Sequence, residues 1–197
     1  MIISPKYKFV FIATEKTGSA TIHKTLLPCV KDKNLINESQ LYLGDKHLSC
    51  PNLIKQRPQY KNYFKFAFTR NPWDRVVSWY FFVKNSKNPK RNTSGISFKE
   101  FVTNPREPNV WGARNQFQYE FTKKCDFIGK TENIQADFDT ICDKIKIPRQ
   151  KLPHKNATKH KHYTEYYDDE TKEIVEERFA KDIEYFNYKF GEWNEKI

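Results

Sequence analysis

Lys8 to Ala13 (KFVFIA) is a short apolar run without helical period, followed at once by polar and small residues, the pattern of a buried strand whose C-terminal end feeds a site. From Ser19 to Leu27 the period turns helical, with Ile22, Leu26 and Leu27 on one face, and Pro28 is expected to stop the helix. Lys31 to Gln59 is polar and mixed, broken by Pro51 and Pro58, with room for a short helix or two. Phe64 to Thr69 (FKFAFT) reads as a second buried strand. After it, Asn71 offers a side-chain cap, Pro72 suits the first helical position, and Val76, Val77, Tyr80 and Phe81 recur at helical spacing. Lys84 to Lys124, with Pro89, Gly95, Pro105 and Pro108, is expected to be a long, partly helical excursion. A third strand is expected at Asp126 to Gly129, then an amphipathic helix marked by Ile134, Phe138, Ile141 and Ile145. A last helix spans Asp169 to Phe186, with acidic residues in its first turn where the helix dipole favours them.

Strands alternating with helices predict an α/β fold, a single domain over residues 1–197 whose central, mostly parallel sheet is flanked by helices and binds ligands beyond the strand C-termini. The 197-residue length suits one core, and the 16% aromatic content supplies large buried side chains despite a hydrophobic fraction of only 38%. No apolar run approaches a membrane span, and Met1 to Lys8 lacks the pattern of a secretory signal, so a cytoplasmic protein is expected. In that setting the N-x-S/T strings at Asn37, Asn92 and Asn156 carry no meaning. Cys29, Cys50, Cys125 and Cys142 are scattered without a CxxC pair, which argues against a zinc knuckle or a disulfide framework and for reduced thiols. A formal net charge of +11 predicts an anionic partner without choosing its class.

Two strings carry chemistry. After the first strand, Thr14-Glu15-Lys16-Thr17-Gly18-Ser19-Ala20-Thr21 opens a helix: a glycine lets backbone N–H groups converge, the helix N-terminus adds positive potential, and Lys16 adds a full charge. It is not a Walker A loop, because the lysine precedes the glycine. After the second strand, Arg70-Asn71-Pro72-Trp73-Asp74-Arg75-Val76-Val77-Ser78 puts an arginine fork at a strand end and a serine two turns into the next helix. Asp74 and Arg75 could equally be residues that pair with neighbours.

In order and context these strings resemble the nucleotide-binding halves of the sulfotransferases that depend on 3′-phosphoadenosine 5′-phosphosulfate (PAPS), especially the branch that modifies carbohydrate hydroxyls. Lys16-Thr17-Gly18-Ser19 resembles that family's PKTG-type loop and Arg70 to Ser78 its RNPxDRxxS string. Asp126 to Asn133, Leu152-Pro153-His154 and His162 to Asp168 are similar to the same branch, so the resemblance covers nearly the whole chain. One departure is Glu15, where the family usually has proline.

The resemblance implies a P-loop-like core and in-line transfer of a sulfuryl group from PAPS to an acceptor hydroxyl, with 3′,5′-ADP (PAP) as product and no metal. Such transfer spreads negative charge over equatorial and leaving oxygens, so cations and amide donors should gather there. By resemblance Lys16 serves the leaving oxygen, Thr17, Gly18, Ser19, Ala20 and Thr21 cradle the 5′ side, and Arg70 and Ser78 hold the 3′-phosphate. Thr131 approaches the adenine, and Lys159, Lys161 or Tyr163 fold over the nucleotide. The acceptor hydroxyl needs a base; His47, in Lys46-His47-Leu48-Ser49, occupies a place like that branch's histidine base, with Glu15 the rival and His23 a packed or surface residue. Arg114 and Gln116, with the aromatics Trp111 and Phe117, are candidates for acceptor contact by their position in the long excursion. The acceptor implied is a hydroxyl of a saccharide or glycolipid, neutral or anionic, and not nucleic acid.

Three other readings stand beside this one. A P-loop-like kinase or nucleotide-phosphate transferase fits the fold but lacks Gly-Lys-Ser/Thr, and magnesium dependence would favour it. A nucleic-acid-binding protein accounts for the charge but not for distinctive residues concentrated at strand ends. A degenerate relative that binds the nucleotide without catalysis is kept open by Glu15.

Overall fold

The computed structural model describes residues 1–30, 48–86, 95–104, 117–153 and 161–192. The chain forms two compact units, one built from Met1–Thr69 and Gln118–Asn156, the other from Arg70–Phe117 and Ala157–Trp193.

The first unit holds a four-stranded sheet in the order β1 (Ile2–Ser4), β2 (Phe9–Ile12), β3 (Phe64–Thr69), β4 (Phe127–Lys130). β2, β3 and β4 are parallel, and β1 runs antiparallel along the β2 edge. The period-two alternation of a strand divides its side chains between two cores. Phe9, Phe11, Phe66 and Phe68 face α1 (Ser19–Val30) and α6 (Ile134–Ile145), where Ile22, Leu26, Phe138 and Ile141 complete the packing. The ring of Phe66 lies 5.3 Å from that of Phe11 and 5.6 Å from that of Phe9. On the other face, Ile3, Val10, Ile12 and Ala67 pack with Leu53 and Cys50 of α2 (Cys50–Gln56) and Phe121 of α5 (Gln118–Thr122). The α/β expectation of a mostly parallel sheet flanked by helices therefore holds.

Several boundaries differ from expectation. β1 was not foreseen, because three residues are too few to show a period. α1 runs through Pro28, which falls in its last turn, to Val30. The third strand is shifted by one residue. The helix expected over Asp169 to Phe186 is two, α7 (Asp169–Arg178) and α8 (Ala180–Phe186), joined at Phe179 with φ −109° and ψ 22°. Val175 and Phe179 keep the apolar spacing across the break, so periodicity alone cannot see it.

Two pairings in the first unit are invisible in the sequence. The ammonium of buried Lys65 donates to the carbonyls of Tyr63 (2.6 Å) and Lys61 (3.0 Å) and pairs with Asp126 at 2.8 Å. Cys50 and Cys125, far apart in the chain, are hydrogen-bonded; that bond holds the Cys50 thiol below its ordinary pKa, and with burial pushes Cys125 well above. All four cysteines are free thiols.

Gly129 in β4 is required by space rather than by backbone conformation. A Cβ there would lie 2.6 Å from Cε1 of Phe68 and 3.1 Å from Cβ of Asp137. Phe68 is fully buried and its ring has nowhere to retreat. Gly129→Ala is expected to destabilise the fold by about 2 kcal/mol through overpacking, read as a lower denaturation midpoint at unchanged denaturant slope; an unchanged midpoint would refute the packing argument.

The second unit is an aromatic-rich helical assembly of α3 (Pro72–Lys84), α4 (Phe98–Thr103), α7, α8 and the 3-10 turn Tyr163–Tyr166. Phe98 packs edge-on against Tyr80 and Tyr167, and Phe190 against Trp73, Tyr163 and Tyr167.

Candidate active site

In the first unit, β2 ends at Ile12 and α1 begins at Ser19, leaving six residues to turn the chain. Lys16 and Gly18 both take left-handed backbone conformations, with φ 63° and 72°. For glycine this is free of strain, whereas for a lysine it costs energy that the surrounding contacts must offset. Thr17 between them is fully buried and its hydroxyl donates to the carbonyl of Thr14 at 3.0 Å, fixing the turn. The hydrogen of that hydroxyl is thus committed inside the protein. A Cβ on Gly18 would lie 2.7 Å from Cδ1 of Ile134, so the loop rests directly on the start of α6.

The Gly18 carbonyl accepts from the N–H groups of Thr21 (2.9 Å) and Ile22 (3.1 Å), which starts α1. The N–H groups of Ser19 and Ala20 thus belong to the set that an α-helix leaves without an intrahelical acceptor. The first turn of α1 carries no acidic residue, in contrast to Asp74 of α3 and Asp169 and Glu170 of α7. No carboxylate of its own first turn offsets its N-terminal potential, and Lys16 precedes it, an arrangement chemically able to cradle an anion. The buried hydroxyl of Thr14 has no hydrogen-bond partner among the described residues, a feature sequence reasoning did not single out.

Thr131 lies in a 3-10 turn, Thr131–Asn133, and its hydroxyl donates to the Thr69 carbonyl at 2.8 Å, tying the end of β4 to that of β3. Glu15 is half-buried, and His23 lies on α1.

In the second unit the expected phosphate string is held at every turn. Asn71 caps α3 by accepting from the N–H of Trp73 (3.1 Å), and its amide donates to the Lys189 carbonyl (3.0 Å) and the Tyr163 hydroxyl (3.4 Å). The Trp73 indole donates to the Lys172 carbonyl (3.2 Å), and the Tyr167 hydroxyl to the Trp73 carbonyl (2.8 Å). Burial, with the charge of Asp74 adding to it, pushes the Tyr167 phenol well above its ordinary pKa, so it stays a donor. Arg70 forms a side-on pair with Asp74, Nε to Oδ2 at 2.7 Å and Nη2 to Oδ1 at 2.8 Å. Ser78 follows one turn beyond Asp74 and is buried. The four-residue spacing of Arg70 and Asp74 was the sequence signal for their pairing.

The expected clamp residues fare differently. Tyr163 is 1% exposed, and its hydroxyl accepts from the N–H of Gly191 at 2.6 Å as well as from Asn71. Its ring and hydroxyl thus support the α3 cap. Lys161 is exposed and pairs with Glu165 at 3.3 Å. His47, Lys159, Arg114, Gln116 and Trp111 lie outside the described residues.

The first unit presents a glycine turn and an acid-free helix start at the end of a parallel strand, and the second an arginine fork ahead of a helix; each is chemically suited to a phosphate-type anion. The model of the sulfotransferase family matches residues 1–189, and the chain belongs to that family. A mouse sulfotransferase, SULT7A1, solved in complex with PAP, superposes with a TM-score of 0.60 at 14% identity, covering 92% of this chain and 86% of that one, a likeness of fold. An uncharacterized protein of Archaeoglobus fulgidus is 34% identical over 97 residues, which is 46% of this chain and 74% of that protein. The expectation of a sulfotransferase with a P-loop-like α/β core thus stands, and sulfuryl transfer to a hydroxyl-bearing acceptor is its chemistry. Among the described residues no helix is long and apolar enough to cross a membrane.

Proposed function

We propose that the chain acts as one catalytic domain in the cytoplasm and transfers the sulfuryl group of PAPS to a hydroxyl of a saccharide or glycolipid, without a metal. The carrying observation is the turn from Lys16 to Gly18 feeding an α1 N-terminus that has no acidic residue in its first turn. Lys16 meets the charge that develops on the leaving phosphate oxygen, and the N–H groups of Gly18, Ser19 and Ala20 with the hydroxyls of Ser19 and Thr21 orient the 5′ side. Arg70 and Ser78 take the 3′-phosphate. Thr131 reaches the adenine with its carbon atoms, its hydroxyl being committed to Thr69, and Lys159 and Lys161 contribute charge to the nucleotide. His47 accepts the acceptor proton, with Glu15 as the competing base; Arg114 and Gln116 contact the acceptor. The net charge of +11 favours an acceptor that is itself anionic.

The test is sulfate transfer from labelled PAPS to a panel of neutral, uronic-acid-bearing and already sulfated glycans and glycolipids. Transfer to a glycan or glycolipid supports the reading, and transfer only to small phenols or sterols would overturn the acceptor class. His47→Ala is expected to lower turnover by about a hundredfold or more with 3′,5′-ADP binding retained, while Glu15→Gln keeps most of the activity. The reverse pattern would make Glu15 the base.

A further inference from the structure

Asp74 and Ser78 lie one turn apart on α3, and Arg70, just before the Asn71 cap, reaches Asp74 with its side chain, so the carboxylate stands between the other two in sequence. A carboxylate between two groups assigned to a phosphate would by itself repel that phosphate. Its geometry here gives it another task. Asp74 occupies the side-on edge of the Arg70 guanidinium with both oxygens, at 2.7 and 2.8 Å, and the two side chains are only 17% and 10% exposed. A guanidinium has a side-on edge, Nε with one Nη2 hydrogen, and an end-on edge, Nη1 with the other Nη2 hydrogen, each able to grip a two-oxygen anion. With the first edge committed to Asp74, the carboxylate sets the plane in which the guanidinium lies.

Asp74 is itself anchored from several directions. It sits in the first turn of α3, where the helix dipole stabilises its charge. The turn is fixed by the Asn71 cap and by the Trp73 bonds to Lys172 and Tyr167. The carboxylate thus has a fixed address from which to set the plane of the arginine.

We infer that Asp74 is a positioning residue that orients Arg70 for the 3′-phosphate and thereby sets the preference for a 3′-phosphorylated nucleotide over one without that group. The inference rests on the assignment of Arg70 and Ser78 to the 3′-phosphate. It concerns selectivity rather than fold, so its readout is a ratio of two affinities measured on the same protein.

The experiment compares binding of 3′,5′-ADP and 5′-AMP by calorimetry to the full chain and to Asp74→Asn, Asp74→Glu, Arg70→Ala and the double variant Arg70→Ala with Asp74→Asn. Asp74→Asn is expected to weaken 3′,5′-ADP by about tenfold or more, as loss of an orienting partner does elsewhere, while 5′-AMP changes by less than about twofold, the margin for uncoupled sites. In the Arg70→Ala background the Asp74 change should have no further effect on 3′,5′-ADP, since it acts through the arginine. Equal weakening of both nucleotides would make Asp74 a general structural residue, and unchanged or tighter 3′,5′-ADP binding would make it a source of repulsion; either overturns the inference. If Asp74→Asn does not fold, Asp74→Glu carries the same comparison, because it keeps the charge but displaces the oxygens. A parent protein that binds both nucleotides equally would instead overturn the 3′-phosphate assignment, an outcome distinct from either failure of Asp74.

Discussion

Lys16→Ala is expected to lower sulfuryl transfer by about a hundredfold to a thousandfold, the usual loss when one preorganised donor to a developing oxyanion is removed. The loss should fall mainly on kcat, because Lys16 is assigned to charge that grows as the phosphate leaves, and the remaining cradle still binds the ground state. Lys16→Gly separates the chemistry from the backbone. Lys16 sits at φ 63°, where any side chain is strained and glycine is not. The glycine variant should therefore lose activity as the alanine variant does while keeping or gaining up to about 1 kcal/mol of stability. Single-turnover transfer from PAPS and denaturant midpoints of both variants test this. An active Lys16→Ala variant would remove Lys16 from the mechanism, and a glycine variant less stable than the alanine one would refute the strain.

Arg70→Ala should have two separable effects. Asp74, whose side chain is 10% exposed, would be left as a buried carboxylate without its cation, at a cost of about 3 kcal/mol. Affinity for 3′,5′-ADP should fall by about a hundredfold, as expected on losing a bidentate, charge-assisted contact. Arg70→Lys is the informative companion, since an ammonium keeps the charge but cannot present two planar edges at once. It should recover much of the stability and little of the affinity for 3′,5′-ADP. Full recovery of affinity by lysine would mean that charge, not fork geometry, governs the contact.

Much of this arrangement could be read from the chain, for reasons that differ by element. β2 and β3 are flanked by sharp polarity changes, and Phe9, Phe11, Phe66 and Phe68 leave little room for another assignment once they must share a core. α3 announces itself through Asn71 and Pro72, and the cap and the proline stand where those residues suggest. The turn around Gly18 was legible because a glycine between a strand and a helix has few alternative uses. The left-handed conformation of Lys16 was not, since no residue type signals it. The interior setting of Tyr163 was not legible, because its neighbours in sequence are basic and its bonds come from Asn71 and Gly191, far away in the chain. The Lys65 cage depends on carbonyls, which any sequence supplies, so the pattern of side chains says nothing of it.

The bond from Asn71 to the Lys189 carbonyl joins residues 118 positions apart, and the bond from Gly191 to Tyr163 adds a second tie to the same corner. During synthesis, the cap of α3 can be made but not locked until residue 191 has left the ribosome. Arg70 and Asp74 will meet early, being four residues apart, whereas their rigid setting waits for residues 189 and 191. Nascent chains halted short of residue 189 should therefore form the local ion pair yet lack its anchored setting, which makes this corner of the second unit a late product of folding.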